Sequence, residues 1–307
     1  MDDCSTDNTV LIVDALQKED GRIRLLRSEK NYGVSTQMNR GIAEARGEYI
    51  CRMDSDDISH TERLYEQLTC LQKHPENVLC TTDYDLFYAN DGQAQRIVVT
   101  GPTSIEAIRV RLIMDLPVCG ASFFAQRTLF ETFLFDQDLV IGEDYDLFTR
   151  VVQHYPITNI PKVLYHYRKY GKSISDDPGN WKGNRIDMIR RNYLEMAGIR
   201  LEDSQWQFFM AFFMCRSNYK VDSRFFERLE TIKRLFKGNR FFDTSQLNLF
   251  FRERLHRYLL STKDYSRFAF KYVLRSYPSV FTNYSFKDSL RIFTRSIITH
   301  PQDPNSD

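Results

Sequence analysis

The chain has no pair of cysteines at C-x-x-C spacing, no run of 18 apolar residues and no internal repeat. Its six cysteines, at 4, 51, 70, 80, 119 and 215, are scattered, several of them in apolar strand-like runs. That pattern excludes a zinc ribbon or a disulfide framework and reads as reduced thiols of a cytoplasmic protein. Without a long apolar run or a basic-then-apolar leader, neither a membrane span nor a signal peptide is expected. What the 307 residues do contain is ordinary for about two globular domains, with 42% apolar and 27% charged residues. Aromatic residues are abundant, with 23 Phe and 17 Tyr. The net charge of +1 hides an asymmetry. Residues 181–307 hold 23 Lys and Arg against 13 Asp and Glu, whereas residues 1–180 hold 19 against 28. The acidic half suits a cation and a phosphorylated ligand. The basic half suits an anionic partner such as lipid headgroups, acidic glycans or nucleic acid.

Hydrophobic periodicity predicts alternating elements as far as Ser175. Helices are expected after the turn at Ser5–Asp7, from Gly33 to Ala45, from His60 to Lys73, from Thr103 to Met114, and from Gly142 onward. Strands are expected at Arg22–Arg27, at Tyr49 onward, at Val78–Tyr88 and at Ile157–Tyr167, with a buried strand making a close approach at Cys119–Ala125. This alternation argues for parallel β-α units. After Asp176-Asp177-Pro178-Gly179 the pattern is helical. Phe225, Leu229, Ile232 and Phe236 recur at helical spacing, and Gln246–Leu260 and Tyr265–Leu274 follow in the same style. Such stripes serve either as the core of a small helical domain or as a basic face on a membrane surface.

The most unusual stretch is Tyr49–Asp57, an apolar run that ends in Asp54, Asp56 and Asp57. Packing gains nothing from three like charges at a strand end. Two readings stand: a divalent cation bridging a diphosphate, or a loop of solvated acids capping the next helix.

In order, the chain shows DDCSTD from Asp2, NYGVSTQMN from Asn31, GIAEARGEYI from Gly41, MDSDD from Met53, EDYDLFTR from Glu143 and YRKYGKSIS from Tyr167. This ordered set resembles the inverting glycosyltransferases of family 2, which have the GT-A fold. The resemblance covers roughly residues 1–175. It implies a Rossmann-like mixed α/β sheet in a GT-A domain over 1–175, followed by a small, basic, mainly helical domain over 176–307. It further implies an enzyme that moves a sugar from a nucleotide-diphospho-sugar to a hydroxyl of a glycan or lipid-linked acceptor, with inversion. The site residues it implies are Asp3 on the nucleotide base, Asn31 at the donor, Asp54 on the ribose or sugar, and Asp56 holding Mn²⁺ or Mg²⁺. Asp144 would be the general base and Arg168 would neutralise the departing diphosphate, with Asp146 as a buttress. Direct displacement at the anomeric carbon needs one base for the nucleophile and positive charge on the leaving group, which this set supplies. The basic C-terminal region would meet an anionic acceptor or the inner face of a membrane, with no nucleic-acid partner.

Three departures from the family pattern stand out. Members open with a strand and helix of roughly 30–40 residues, about one β-α unit, whereas Met1 here stands directly before the two aspartates. The expected fold is therefore a GT-A domain lacking its first strand and helix, and a catalytically inactive, truncated binding module is the alternative function. Tyr170 replaces a common His, with His166 nearby at another register. Cys4 replaces the common Gly of the DDxSTD turn.

Overall fold

The computed structural model of the chain describes residues 1–88, 96–169, 185–216, 218–262, 272, 273 and 275. They form two compact units, Met1–Tyr193 and Leu194–Asp307. The boundary expected after Ser175 and Tyr170 lie outside the described residues, as does most of the helix expected at Tyr265–Leu274.

The first unit opens with α1 (Thr9–Glu19) and α2 (Val34–Glu44). The N-cap of α1 is Asn8, without a side-chain cap, and not one of the turn residues Ser5, Thr6 or Asp7; the Asp7 carboxylate instead accepts the Thr9 N–H two residues on, at 2.9 Å. β1 (Tyr49–Cys51), β2 (Ile58–Ser59) and α3 (Arg63–Lys73) follow, then β3 (Leu79–Tyr88), β4 (Arg96–Val99) and α4 (Ile105–Arg111). A 3-10 turn at Gly120–Ser122 leads into β5 (Phe124–Gln126), and α5 (Glu143–Val151) and β6 (Ile157–Lys169) complete the sheet.

The strands lie in the order β1-β5-β3-β6-β2, with β4 on β3. Among the described strands only β3 and β6 run parallel, and the other pairs are antiparallel. The sheet is mixed, as the resemblance implies, and not the run of parallel units that alternation alone suggests. Local periodicity reports which stretches extend, whereas strand direction is decided by neighbours far away in sequence.

Two expected strands are corrected. Arg22–Arg27 forms a single parallel bridge, Asp2 to Arg27, held by Asp2 N–H to Leu26 and Ser28 N–H to Asp2. A ladder needs a partner of several residues, and Asp2 alone faces it. Cys119–Ala125 is extended only at its end, because Gly120–Ser122 turns sharply beforehand.

Behind β3, α3 packs Leu71 with Cys80, Phe124, Ile160 and Leu164 in one apolar cluster. In the second unit α6 (Asp203–Phe213), α7 (Ser223–Phe236) and α8 (Thr244–Ser261) converge on phenylalanines. Ring centroids stand 5.3 Å apart for Phe208 and Phe225, 5.0 Å for Phe213 and Phe250, and 5.8 Å for Phe212 and Tyr258. Phe225, Leu229, Ile232 and Phe236 are all buried, so this stripe is core and does not form a membrane-facing surface. Among the described residues no helix is long and apolar enough to cross a membrane.

Candidate active site

The DSDD loop leaves β1 and enters β2, which pairs with β6. Its three carboxylates have different fates. Asp54 pairs with the Arg52 guanidinium, Nε to Oδ1 at 3.0 Å, and its N–H donates to the Tyr165 hydroxyl at 3.1 Å. Asp57 is buried and accepts the Arg168 N–H at 2.8 Å, and burial pushes its carboxyl above the usual range. Asp56 contributes only its backbone carbonyl, which accepts Arg168 Nε at 2.6 Å. Of the three, its carboxylate alone has no hydrogen bond among the described residues. Loop formation therefore engages two of the three acids.

Beneath the loop lie two buried guanidinium groups. Arg52, 7% exposed, reaches Asp54 on one side and Glu143 on the other, Nη2 to Oε1 at 3.2 Å. Arg63, 2% exposed, donates through Nη2 to the Arg52 carbonyl at 3.0 Å, touches the Cys51 sulfur at 2.7 Å and lies over the Tyr165 ring. Burial works against the Arg52 charge, but Asp54, Asp144 and Glu143 outweigh it and hold the group firmly protonated.

Glu143 and Asp144 open α5 just after Gly142, whose φ of 78° is left-handed. A side chain at Gly142 would also strike Ile186, 2.4 Å from the ideal Cβ position. Asp144 accepts the N–H of Tyr145 at 2.7 Å through Oδ1. Its Oδ2 faces Gly120, where an added Cβ would stand 2.2 Å away. Burial raises the Asp144 carboxyl above its ordinary value, opposed by Arg52. Glu143 is raised too, by burial and then by the Asp144 charge. Such a carboxyl is a better proton acceptor than an exposed one. Asp146 pairs with Arg150, Oδ2 to Nη2 at 2.8 Å, and Arg150 also holds the Leu134 carbonyl, consistent with a buttress.

Asp54, Glu143 and Asp144 thus come together through Arg52, and Arg168 is tied to the same loop. Asp3 and Asn31 stand elsewhere in the contact network, at the start of α2. Asp3 accepts the N–H of Tyr32 and of Gly33, both at 2.8 Å, and Gln37 Nε2 at 2.6 Å. Three of the carboxylate's roughly four acceptor sites are used in anchoring that helix. Asn31 is exposed beside it. Asn39, the last residue of NYGVSTQMN, exchanges two hydrogen bonds with the Phe135 backbone at 2.9 Å, latching α2 to the segment that leads into α5. His166 is occupied by Asp85, Nδ1 to Oδ1 at 2.8 Å. Sequence reading missed Arg52 and Gly120. The signal for Arg52 was a lone charge inside the apolar run at Tyr49, and for Gly120 a small residue in a buried stretch.

The donor set bears on a metal. Among the described residues no group of three or more His, Cys, Asp and Glu could hold an ion. One free carboxylate beside a diphosphate is, however, how Mg²⁺ is often held, with substrate oxygens completing the shell. Asp56 fits a cation shared with substrate and does not fit a protein-only cage.

Residues 1–132 match the model for glycosyl transferase family 2. The glycosyltransferase GlyG of Streptococcus pneumoniae is 32% identical over 136 residues, covering 43% of this chain and 44% of that protein. A putative colanic acid biosynthesis glycosyl transferase, WcaA of Escherichia coli, is 30% identical over 160 residues, covering 50% and 55%. The chain thus spans about half the length of these curated relatives. A solved structure of S. aureus TarS residues 1–349, in complex with UDP-GlcNAc, is similar at a TM-score of 0.49 and 17% identity, covering 85% of this chain and 70% of that one. Asp3, Asn31, Asp54 and Asp56 lie within the matched residues, and Asp144 and Arg168 beyond them. Residues 1–132 are thus similar to glycosyl transferase family 2, and they lie in a mixed α/β fold.

Proposed function

We propose that the chain transfers a sugar from a nucleotide-diphospho-sugar to a hydroxyl of a glycan or lipid-linked acceptor, with inversion, in the synthesis of a surface polysaccharide. The observation that carries this reading is the buried Arg52 bridge, which sets the DSDD loop against Glu143 and Asp144, while the Asp56 carboxylate has no partner among the described residues. The colanic acid relative points to polysaccharide synthesis as the setting.

In this reading Asp144 Oδ2 takes the proton of the acceptor hydroxyl as its oxygen attacks the anomeric carbon. The bond from that carbon to the diphosphate breaks on the opposite face, which inverts the configuration. Asp54 contacts the ribose or sugar, Asn31 and Asp3 flank the nucleotide, and Arg168 balances charge on the leaving diphosphate. A Mn²⁺ or Mg²⁺ ion at Asp56 would supply further positive charge there. The work takes place in the cytoplasm. The basic C-terminal region meets an anionic acceptor or the inner membrane face through charge, since its aromatic stripe is buried.

A binding-only domain is the second reading. On its side stands the single bridge at Arg27, where the sequence pattern asks for a strand. Metal-dependent release of nucleoside diphosphate from a panel of donors tests both, using this chain and one extended upstream. Release by this chain supports transfer. Silence from both versions, whatever the donor or metal, refutes it in favour of the second reading.

A further inference from the structure

We infer that Arg52 is a positioning residue: it clamps the Glu143-Asp144 pair against the backbone of Gly120 and ties that pair to the metal-loop residue Asp54. The inference rests on the proposed transfer for its catalytic meaning, and on geometry alone for the clamp.

Both ends of the argument are structural. The Arg52 backbone is fixed first, its N–H donating to the Phe123 carbonyl at 3.0 Å and its own carbonyl accepting Arg63. The side chain is buried, 7% exposed. There its planar fork reaches Asp54 at 3.0 Å and Glu143 at 3.2 Å, residues 89 positions apart in the chain. Its third nitrogen, Nη1, is buried with no hydrogen-bond partner among the described residues. An arginine kept buried with one nitrogen unsatisfied is costly unless its charge is needed. The charge has clear recipients, since burial raises the carboxyls of the buried Glu143 and the half-buried Asp144, and the Arg52 charge opposes that rise. On the far side of Asp144, Gly120 leaves no room for even a methyl group. The carboxylate is thus bounded by a cation and by bare backbone. Of the other charged groups nearby, Asp54 is paired to Arg52 and Asp146 to Arg150. A lysine here would bring three donors on one compact ammonium at the end of a flexible stem, without the rigid planar fork that spans Asp54 and Glu143.

The test compares Arg52→Lys, Arg52→Met and Arg52→Ala with the unmodified chain. The acid limb of the donor-turnover pH profile should move upward by about 1–3 pH units in Arg52→Met, and maximal turnover should fall by about 10²-fold. Arg52→Lys should recover part of both. Added guanidinium should raise turnover of Arg52→Ala at least severalfold. An unmoved acid limb, or equal losses in all three variants with no rescue, overturns the inference, because a purely structural residue gives that result. A second readout needs no turnover: ¹³C-carboxylate titration of Glu143 and Asp144, which should shift upward in Arg52→Lys and Arg52→Met. Unchanged titration refutes the clamp itself. Absence of nucleoside diphosphate release by both the unmodified chain and the version extended upstream refutes the transfer reading, and the titration then decides the clamp separately.

Discussion

Replacing Gly120 by Ala tests the placement of the base with a single carbon. The new Cβ would stand 2.2 Å from Asp144 Oδ2, 2.9 Å from its Cγ and 2.9 Å from Leu116 Cδ2, where ordinary contact begins at 3.4 Å. The carboxylate must therefore retreat by about 1.2 Å. It has little freedom to do so, because its other oxygen accepts the Tyr145 N–H at 2.7 Å. The Gly120 backbone cannot yield cheaply either. Its turn is buried and closed by the Ser122 N–H to Cys119 and the Phe123 N–H to Gly120. A misplacement of about 1 Å costs roughly 10²-fold in rate, or about 2.7 kcal/mol of barrier. Overpacking should also lower stability by about 1–3 kcal/mol. The assay is nucleoside diphosphate release against donor concentration, with thermal unfolding as a companion measurement. Turnover should fall about a hundredfold with donor KM nearly unchanged. Gly21→Ala, where nothing lies within 4 Å of the added carbon, serves as the neutral control. A Gly120→Ala variant that stays folded and turns over within twofold of the unmodified chain would refute the assignment of Asp144 as base.

Further predictions separate the roles of the two motifs. Asp144→Asn should abolish transfer while donor binding by calorimetry stays nearly intact, whereas Asp56→Ala should lose metal dependence and donor affinity together. Equal loss of donor binding in both variants would contradict distinct roles. For pH, burial raises the folded-state values of Asp144, Glu143 and Asp57. The base is therefore lost at a higher pH than for an exposed carboxylate, and the acid limb of the rate profile should lie above the ordinary value of about 4. The sign for stability is opposite. These groups favour the folded state below their unfolded values of about 4, and that contribution fades as pH rises through the raised ones, as denaturant titrations between pH 4 and 7 would reveal. Cys4 sits at φ 69°, in the left-handed region that glycine adopts freely. Cys4→Gly removes about 1–2 kcal/mol of strain and adds roughly 0.4–1 kcal/mol of unfolded-chain entropy, so a modest gain in Tm is expected. Flotation with anionic liposomes should show binding that weakens with salt, because charge and not an apolar face is what the second unit presents; salt-independent binding would argue for insertion.

The sequence by itself determined the helices and the long strands, because apolar spacing and turn residues act within one element. It marked DSDD as unusual, since three like charges at a strand end serve no packing need, and the family resemblance joined that motif to EDYDLFTR, whose acids a helix start would favour in any case. The position of Cys4 is a related case: the family resemblance implies a glycine there, and the left-handed φ gives the reason. Three things were decided only by tertiary structure. Strand direction was one: β5 runs antiparallel to both β1 and β3, a choice set by distant partners. The division of labour among the acids was another. Asp3 anchors α2 with both oxygens, Asp54 and Asp57 are held by Arg52 and by the Arg168 backbone, and Asp56 is left over. No local pattern distinguishes these aspartates, because a carboxylate's role depends on which donors the fold brings within 3 Å. The last was the pocket wall itself. Arg52 and Gly120 look unremarkable in the sequence, and only the approach of α5 to the end of β1 turns a buried guanidinium and a missing side chain into the two sides of one site.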